Sequence, residues 1–221
     1  TVAAGVFIGA GSGEDIPLNQ AISGTVSIGY ESMKGSGSTT DGAINNTAIG
    51  SEALKVVTSA AGNTIVGQGA GISITTGGNN TAVGKSALDA ENTGSENVAI
   101  GNNALGAATG GVSNCVAVGY GALQGALVTT GDNPNGATAI GYEAGQAVTS
   151  SLYHTSLGFR AGYSSTGADK ATYIGYQAGY AGNANHNNTY VGYRSGYGGG
   201  SGSGGESNVA LGASALESVA S

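Results

Sequence analysis

Residues 46–54 read Asn-Thr-Ala-Ile-Gly-Ser-Glu-Ala-Leu, residues 80–88 Asn-Thr-Ala-Val-Gly-Lys-Ser-Ala-Leu and residues 97–105 Asn-Val-Ala-Ile-Gly-Asn-Asn-Ala-Leu. The same line returns along the whole chain. Its central glycine, the anchor, stands at Gly9, Gly29, Gly50, Gly67, Gly84, Gly101, Gly119, Gly141, Gly158, Gly175, Gly192 and Gly212. The intervals are 20, 21, 17, 17, 17, 18, 22, 17, 17, 17 and 20, so twelve repeats share a basic period of 17 residues. Counted from the anchor, position −3 is Thr or Val, −1 is Ile, Val or Leu, and +3 is Ala or Ser in every repeat. Position −4 is Asn in six of them.

A β-branched residue, a variable one and an aliphatic one make the alternation of a strand with one buried face. Seventeen residues suffice for short strands and turns, not for a strand, a helix and two loops. No single coil can bury its own face, so coils must stack. The fold expected is all-β: a parallel β-solenoid, or β-roll, of about twelve short coils, forming one repeat domain over residues 1–221. At about 4.8 Å per coil the rod is roughly 55–60 Å long. In this reading the Thr/Val and aliphatic columns face inward, the anchor ends the strand, and x-x-Ala-Leu forms a second short strand. The −2 column (Ala48, Ala82, Ala99, Ala117, Ala139) then points outward. Small residues there predict another backbone close by, hence an inter-protomer column, most economically around a threefold axis.

The Asn column predicts a side-chain ladder between coils. Asn45, Asn79 and Asn187 lie in Asn-x-Thr sequons, but each arises from the repeat register. The longer intervals mark extra loops at 11–19, 34–45, 125–137 and 198–205, where tolerated insertion and individual specificity are both possible readings.

Composition narrows the classes. With 44 Gly but 2 Pro the chain is not collagen-like. Charged residues are 9%, too few for charge-driven disorder. A net charge of −7 argues against a nucleic-acid partner, and no apolar run is long enough for membrane insertion by this segment. The single Cys excludes an internal disulfide. A start at Thr1 without a signal pattern fits a processed product or a fragment.

The later repeats change character. Tyr142, Phe159, Tyr176 and Tyr193 directly follow four successive anchors. In those repeats Leu at +4 becomes Gly (Gly145, Gly162, Gly179, Gly196), and Tyr163, Tyr180 and Tyr197 follow at +5. Tyr173 and Tyr190 sit at −2. The tyrosines predict stacked ladders. Tyr with Gly reads as packing compensation; the alternative is an aromatic contact surface for a saccharide or host polymer.

Chemistry is sparse. His154 takes the place of Asn at −4, as an expected ladder member, and His186 lies in a turn. Neither has Cys or carboxylate partners at metal-ligand spacing. Acidic residues show no paired pattern for acid/base work. Cys115, also at −4, reads as a buried inert thiol. The expectation is a non-enzyme without cofactor.

The line at Asn46–Leu54, Asn80–Leu88 and Asn97–Leu105 resembles the head repeats of trimeric autotransporter adhesins (YadA-like). It also resembles the Asn-Thr-Ala-Ile-Gly arrays of phage tail fibres. The resemblance covers essentially the whole chain; the 17-residue period and the tyrosine block depart from it. It implies a left-handed β-roll, three chains side by side, and adhesion or receptor binding at a cell or virion surface. The function expected is therefore an extracellular structural and adhesive fibre segment, partnered by itself and by a host cell-surface glycan or protein. Alternatives are a self-assembling extracellular filament subunit and an ice-binding solenoid. Ice binding is the weaker of these, because its regular Thr column is expected to be buried.

Overall fold

The computed structural model describes residues 5–16, 23–36, 42–125, 135–149, 152–181, 186–198 and 206–217. The loop sequences at 17–19, 37–41, 126–134 and 199–205 lie outside the described residues.

Each repeat contributes one three-residue strand immediately before its anchor. They are β1 (Val6–Ile8), β2 (Val26–Ile28), β3 (Thr47–Ile49), β4 (Thr64–Val66), β5 (Thr81–Val83), β6 (Val98–Ile100), β7 (Val116–Val118), β8 (Thr138–Ile140), β9 (Thr155–Leu157), β10 (Thr172–Ile174), β11 (Thr189–Val191) and β12 (Val209–Leu211). They form a single parallel sheet in sequence order, with like repeat positions opposite one another, as in Ala82 with Ala99. The protein is an all-β solenoid, as the period predicts; coil n below is the coil that carries βn.

The sheet faces the opposite way from the expectation. The −2 residue points inward: Ala48, Ala82, Ala99, Ala117 and Ala139 are all at 0% exposure. They are interior residues of each coil and cannot form a column between protomers. The −1 aliphatics point out, with Ile49, Val83, Ile100, Ile140 and Leu157 at 37–43% exposure. The −3 column shares that outer face, since positions two apart lie on one side of a strand.

No second strand follows the anchor among the described residues. The chain there runs through overlapping turns. In coil 6, Ala104 N donates to Gly101 O (3.3 Å), Gly106 N to Asn103 O (3.1 Å) and Ala108 N to Leu105 O (3.3 Å). Asn103 and Leu105, at +2 and +4, have φ of 56° and 50°. Two left-handed residues so close together exclude a strand. Stacking continues nonetheless, because Asn103 N reaches Lys85 O and Leu105 N reaches Ala122 O, each at 3.0 Å.

The interior is filled by the −2 side chain, by Ala or Ser at +3, by the +4 side chain and by apolar residues at +7 such as Val57, Ile74, Ala108 and Val148. Sizes at −2 and +4 are reciprocal in ten coils; coils 8 and 9 pair Ala139 with Gly145 and Ser156 with Gly162, where Leu123 and Val148, and His154 and Tyr173, take the space instead. Ala48, Ala82, Ala99 and Ala117 face Leu54, Leu88, Leu105 and Leu123 across their coils. Large −2 residues meet glycine: Phe7 with Gly13, Ile65 with Gly71, Tyr173 with Gly179 and Tyr190 with Gly196. A Cβ on Gly13 would lie 2.6 Å from the Phe7 ring, and one on Gly179 2.6 Å from the Tyr173 ring. Real Cβ atoms do not approach that closely, so one member must be small.

The Asn ladder forms as expected in coils 3 to 6. Asn63, Asn80 and Asn97 each donate a side-chain N–H, at 3.0–3.1 Å, and a backbone N–H, at 2.9–3.0 Å, to the Asn Oδ1 one coil earlier. Their Nδ2 groups also reach the carbonyls of Gly77, Gly94 and Val112. Asn45, Asn79 and Asn187, the sequon residues, sit at φ of 57–59°. Asparagine tolerates left-handed φ better than most residues, which accounts for its place there.

Candidate functional site

The outer wall carries three kinds of column. The first is aliphatic, the −1 residues with Thr or Val at −3. The second is aromatic. Tyr120, Tyr142, Phe159, Tyr176 and Tyr193 at +1 stack in one row, with centroids 5.2 Å apart and planes within 11°. Tyr120 extends the four-ring row expected from the sequence by one coil. A second row at +5, Tyr163, Tyr180 and Tyr197, stacks at 5.0 Å. The +1 rings are 39–53% exposed and the +5 rings half-buried.

Rings stacked in this way turn their faces to each other. What they offer to solvent is edges and hydroxyls. A saccharide that needs an open ring face finds none at the ends of the +5 row, where Arg160 and Arg194 lie over Tyr163 and Tyr197, and is left with the ends of the +1 row. Between the rows, the +2 column holds Glu143, Arg160, Gln177 and Arg194. Arg160 Nε donates to Glu143 at 2.6 Å, and its guanidinium lies 5.2–5.9 Å from the centroids of Tyr142, Phe159 and Tyr163. Arg194 pairs with Glu217 at 2.8 Å and lies 4.1 Å above Tyr197.

At the N-terminal end the +2 and +5 columns are charged instead. Lys34 and Lys55 bridge Glu14, Glu31 and Glu52 at 2.7–3.6 Å, linking three coils. Position +5 thus joins coils by ion pairs at one end and by stacked rings at the other.

The anchors Gly50, Gly67, Gly84, Gly101, Gly119, Gly141, Gly158, Gly175 and Gly192 have φ of 132–143°. A Cβ on any of them would run into the carbonyl of the next anchor. They are structural positions where backbone meets backbone, and no ligand contact is needed to explain them.

Two interior ionisable residues escaped or altered the sequence reading. Glu91 is fully buried. Its Oε1 accepts N–H bonds from Asn92, Thr93, Gly94 and Gly111 at 2.8–3.1 Å, and its Oε2 accepts one from Val112 at 2.9 Å. Five backbone donors from two coils satisfy one carboxylate, so Glu91 ties the corner of coil 5 to that of coil 6. Nothing in the period marks it except a charged residue at +7, where neighbouring repeats carry Ile74 and Ala108.

His154 holds its place in the Asn column, but its bond stays within its own coil, Nε2 lying 2.6 Å from Ser156 Oγ. It is not a rung between coils. With Ser156 and Ser165 it forms a polar layer between two apolar clusters, Met33–Val148 and Ala161–Ala210. Burial pushes its pKa down from 6.5 to about 4, against a smaller upward pull from the Ala168 backbone. The unfolded chain therefore binds a proton that the folded one refuses. Stability is full above pH 6.5 and falls as the pH drops towards 4, by about 3 kcal/mol from this group. His154→Asn is expected to flatten that part of the profile in urea unfolding at pH 7 and pH 4.5. An equal acid loss in wild type and variant would assign the sensitivity elsewhere.

Cys115 is buried, and desolvation pushes its thiol pKa up to about 11. Asp169 N donates to His186 Nδ1 at 3.2 Å. Among the described residues no three His, Cys, Asp or Glu side chains could hold a metal, and no helix is long and apolar enough to cross a membrane. An open depression of about 460 Å³ between Ala107, Gln146 and Thr166 has no ionisable group in its lining.

No family model, curated protein or solved structure matches the chain. The class that the geometry defines is a parallel β-solenoid with one strand per coil.

Proposed function

We propose that the chain is a structural and adhesive fibre segment, an extracellular rod of a phage tail fibre or a bacterial surface adhesin, whose copies pack side by side as a homotrimer. The observation that carries this reading is the outer aliphatic face. Each strand turns a −1 aliphatic and a −3 Thr or Val outward, in register along the sheet. A strip about 55 Å long and about 10 Å wide, the span of a three-residue strand, offers roughly 550 Å². That lies at the upper end of the roughly 300–600 Å² of the largest patch on a monomer, and its repetition in register along one sheet sets it apart from scattered surface aliphatics. The surface that joins copies is thus the −1/−3 face, not the alanine column. The threefold arrangement rests on the repeat's resemblance to trimeric adhesin heads. Host contact then falls to surfaces outside the interface, such as the aromatic rows.

The test is oligomeric state. Wild type is expected to sediment as a trimer at micromolar concentration. The triple variant Ile49→Lys, Ile100→Lys, Ile140→Lys is expected to be a folded monomer, because these side chains point outward. A monomeric wild type, or an assembly unaffected by the three lysines, would rule the reading out.

An end-to-end filament is the second reading: the strands of all twelve coils pair in parallel in one register, and the end of such a stack can pair with a strand of the same kind. Such ends can template addition. Polymers that persist in the triple-lysine variant under the electron microscope would favour it. Turning the −3 column outward also removes the burial argument against ice binding, so thermal hysteresis is the third measurement on the same protein.

A further inference from the structure

We propose that Tyr163, Tyr180 and Tyr197 form an oxidative cross-linking site, at which adjacent coils of one chain are joined through dityrosine. Three successive coils place a phenol in the same column, with centroids 5.0 Å apart and planes 4° and 19° from parallel. The backbone holds them there: Ala147 N donates to Tyr163 O, Ser164 N to Tyr180 O and Ala181 N to Tyr197 O, at 2.9–3.2 Å. The partners cannot drift apart, so coupling is effectively unimolecular. The row is also covered at both ends. Arg160, drawn towards coil 8 by Glu143, lies over Tyr163; Arg194, drawn towards coil 12 by Glu217, lies over Tyr197. A ring from another molecule meets a guanidinium before it meets a tyrosine face.

The chemistry needs a one-electron oxidant, here hydrogen peroxide used by a haem peroxidase. Each phenol gives up one electron and its O–H proton and becomes a phenoxyl radical with spin at the ring carbons ortho to oxygen. Two neighbouring rings turn out of the stack about their side-chain torsions, and their ortho carbons form one C–C bond. The two ring hydrogens at those carbons shift to the oxygens and restore both phenols. In all, two electrons and two protons leave per cross-link, and one peroxide is reduced to two waters. Tyr163, Tyr180 and Tyr197 are only partly buried, in contrast to the enclosed Tyr173 and Tyr190.

No other tyrosines stand in three successive coils with both end faces covered. Phe159 interrupts the +1 row, so Tyr142 and Tyr176 stand two coils apart, about 10 Å. That row retains only the pairs Tyr120–Tyr142 and Tyr176–Tyr193. Tyr173 and Tyr190 stack at 5.4 Å but are buried against Gly179 and Gly196, with no room to turn. Tyr30 and Tyr153 are exposed and stack on no tyrosine among the described residues.

The full chain, diluted and treated with peroxidase and peroxide, is expected to gain the blue fluorescence of dityrosine. Peptide mass spectrometry is expected to place the bond at Tyr163–Tyr180 or Tyr180–Tyr197, with two hydrogens lost and the chain count unchanged. Tyr180→Phe keeps the ring stack and is expected to abolish cross-linking in this row. Tyr163→Phe leaves the Tyr180–Tyr197 pair and retains it. Cross-links mainly between chains, at Tyr30 and Tyr153 or at the pairs Tyr120–Tyr142 and Tyr176–Tyr193, or full coupling between Tyr163 and Tyr197 in Tyr180→Phe, would overturn the proposal. Neither arm depends on the trimer.

Discussion

Replacing Gly101 by alanine is expected to destabilise the protein by more than about 3 kcal/mol, although it adds one methyl group. Gly101 has φ of 133°, a region open essentially to glycine. The added Cβ would also strike the carbonyl of Gly119 in the next coil. Backbone cannot give as a side chain does. To make room the two coils must spread, yet the Gly101 N–Val83 O bond (2.8 Å) and the Gly119 N–Ile100 O bond (2.7 Å) hold the strands at their spacing on either side. Gly69 is the control. It too has positive φ, 64°, but its nearest neighbour is Ser86 Oγ at 3.8 Å. Gly69→Ala meets only the conformational cost, about 1 kcal/mol. Urea midpoints for the two variants separate steric from conformational terms. A Gly101→Ala loss no larger than that of Gly69→Ala would show that the anchors are not in backbone contact.

Such a lesion matters more in a rod than in a globule. Each coil touches only its neighbours, so stability is a chain of nearest-neighbour terms. A break at coil 6 divides the sheet into two shorter stacks. The cross-coil devices then read as local reinforcement of those terms. Lysine–glutamate bridges hold coils 1 to 3, the Asn ladder coils 3 to 6, Glu91 coils 5 and 6, and stacked rings coils 7 to 11. Coil 9 lacks the Asn rung and carries the polar His154 layer, but there the +1 and +5 rows run side by side.

The period, the parallel sheet and the Asn ladder were legible in sequence because each repeats at fixed spacing. The facing of the strand was not. Two aliphatic or β-branched columns against one of alanine suggest that the larger pair is buried, since burial scales with apolar area. The coil is too narrow for that. Its width admits an alanine opposite a leucine, and the large aliphatics are left outside. The deciding signal was nevertheless present: where −2 grows to Phe7, Ile65, Tyr173 or Tyr190, +4 shrinks to glycine. Residues that trade size must share a space, and an outward −2 column would have no reason to trade. The missing second strand has a similar origin. Leu54, Leu88, Leu105 and Leu123 sit at φ of 49–55°, a conformation that leucine's identity does not announce. Only the glycines at the same position in other coils point to it.

That reciprocity yields the second large effect. Tyr173→Ala is expected to cost about 3–5 kcal/mol, because a fully buried ring leaves a cavity that the neighbouring coils cannot collapse into. Gly179→Leu alone is expected to be at least as damaging, since its Cβ would sit 2.6 Å from Tyr173 Cγ and Cδ1. Together the two substitutions rebuild the Ala/Leu pair of coils 3, 5, 6 and 7, where leucine already adopts the φ of about 60° that Gly179 has. The double variant is therefore expected to recover to within about 2 kcal/mol of wild type, a strongly favourable coupling between the sites. Full recovery is not expected. Tyr190 stacks on Tyr173 at 5.4 Å, and His154 meets its edge at 5.3 Å; both lose that contact. Denaturant unfolding of the four proteins in the cycle measures the coupling directly. If the double variant is as unstable as the sum of the singles, the two positions do not compete for one volume. The inward facing of the −2 column would then lose its main energetic support, and with it the case that the aliphatic columns form the outer, assembling face.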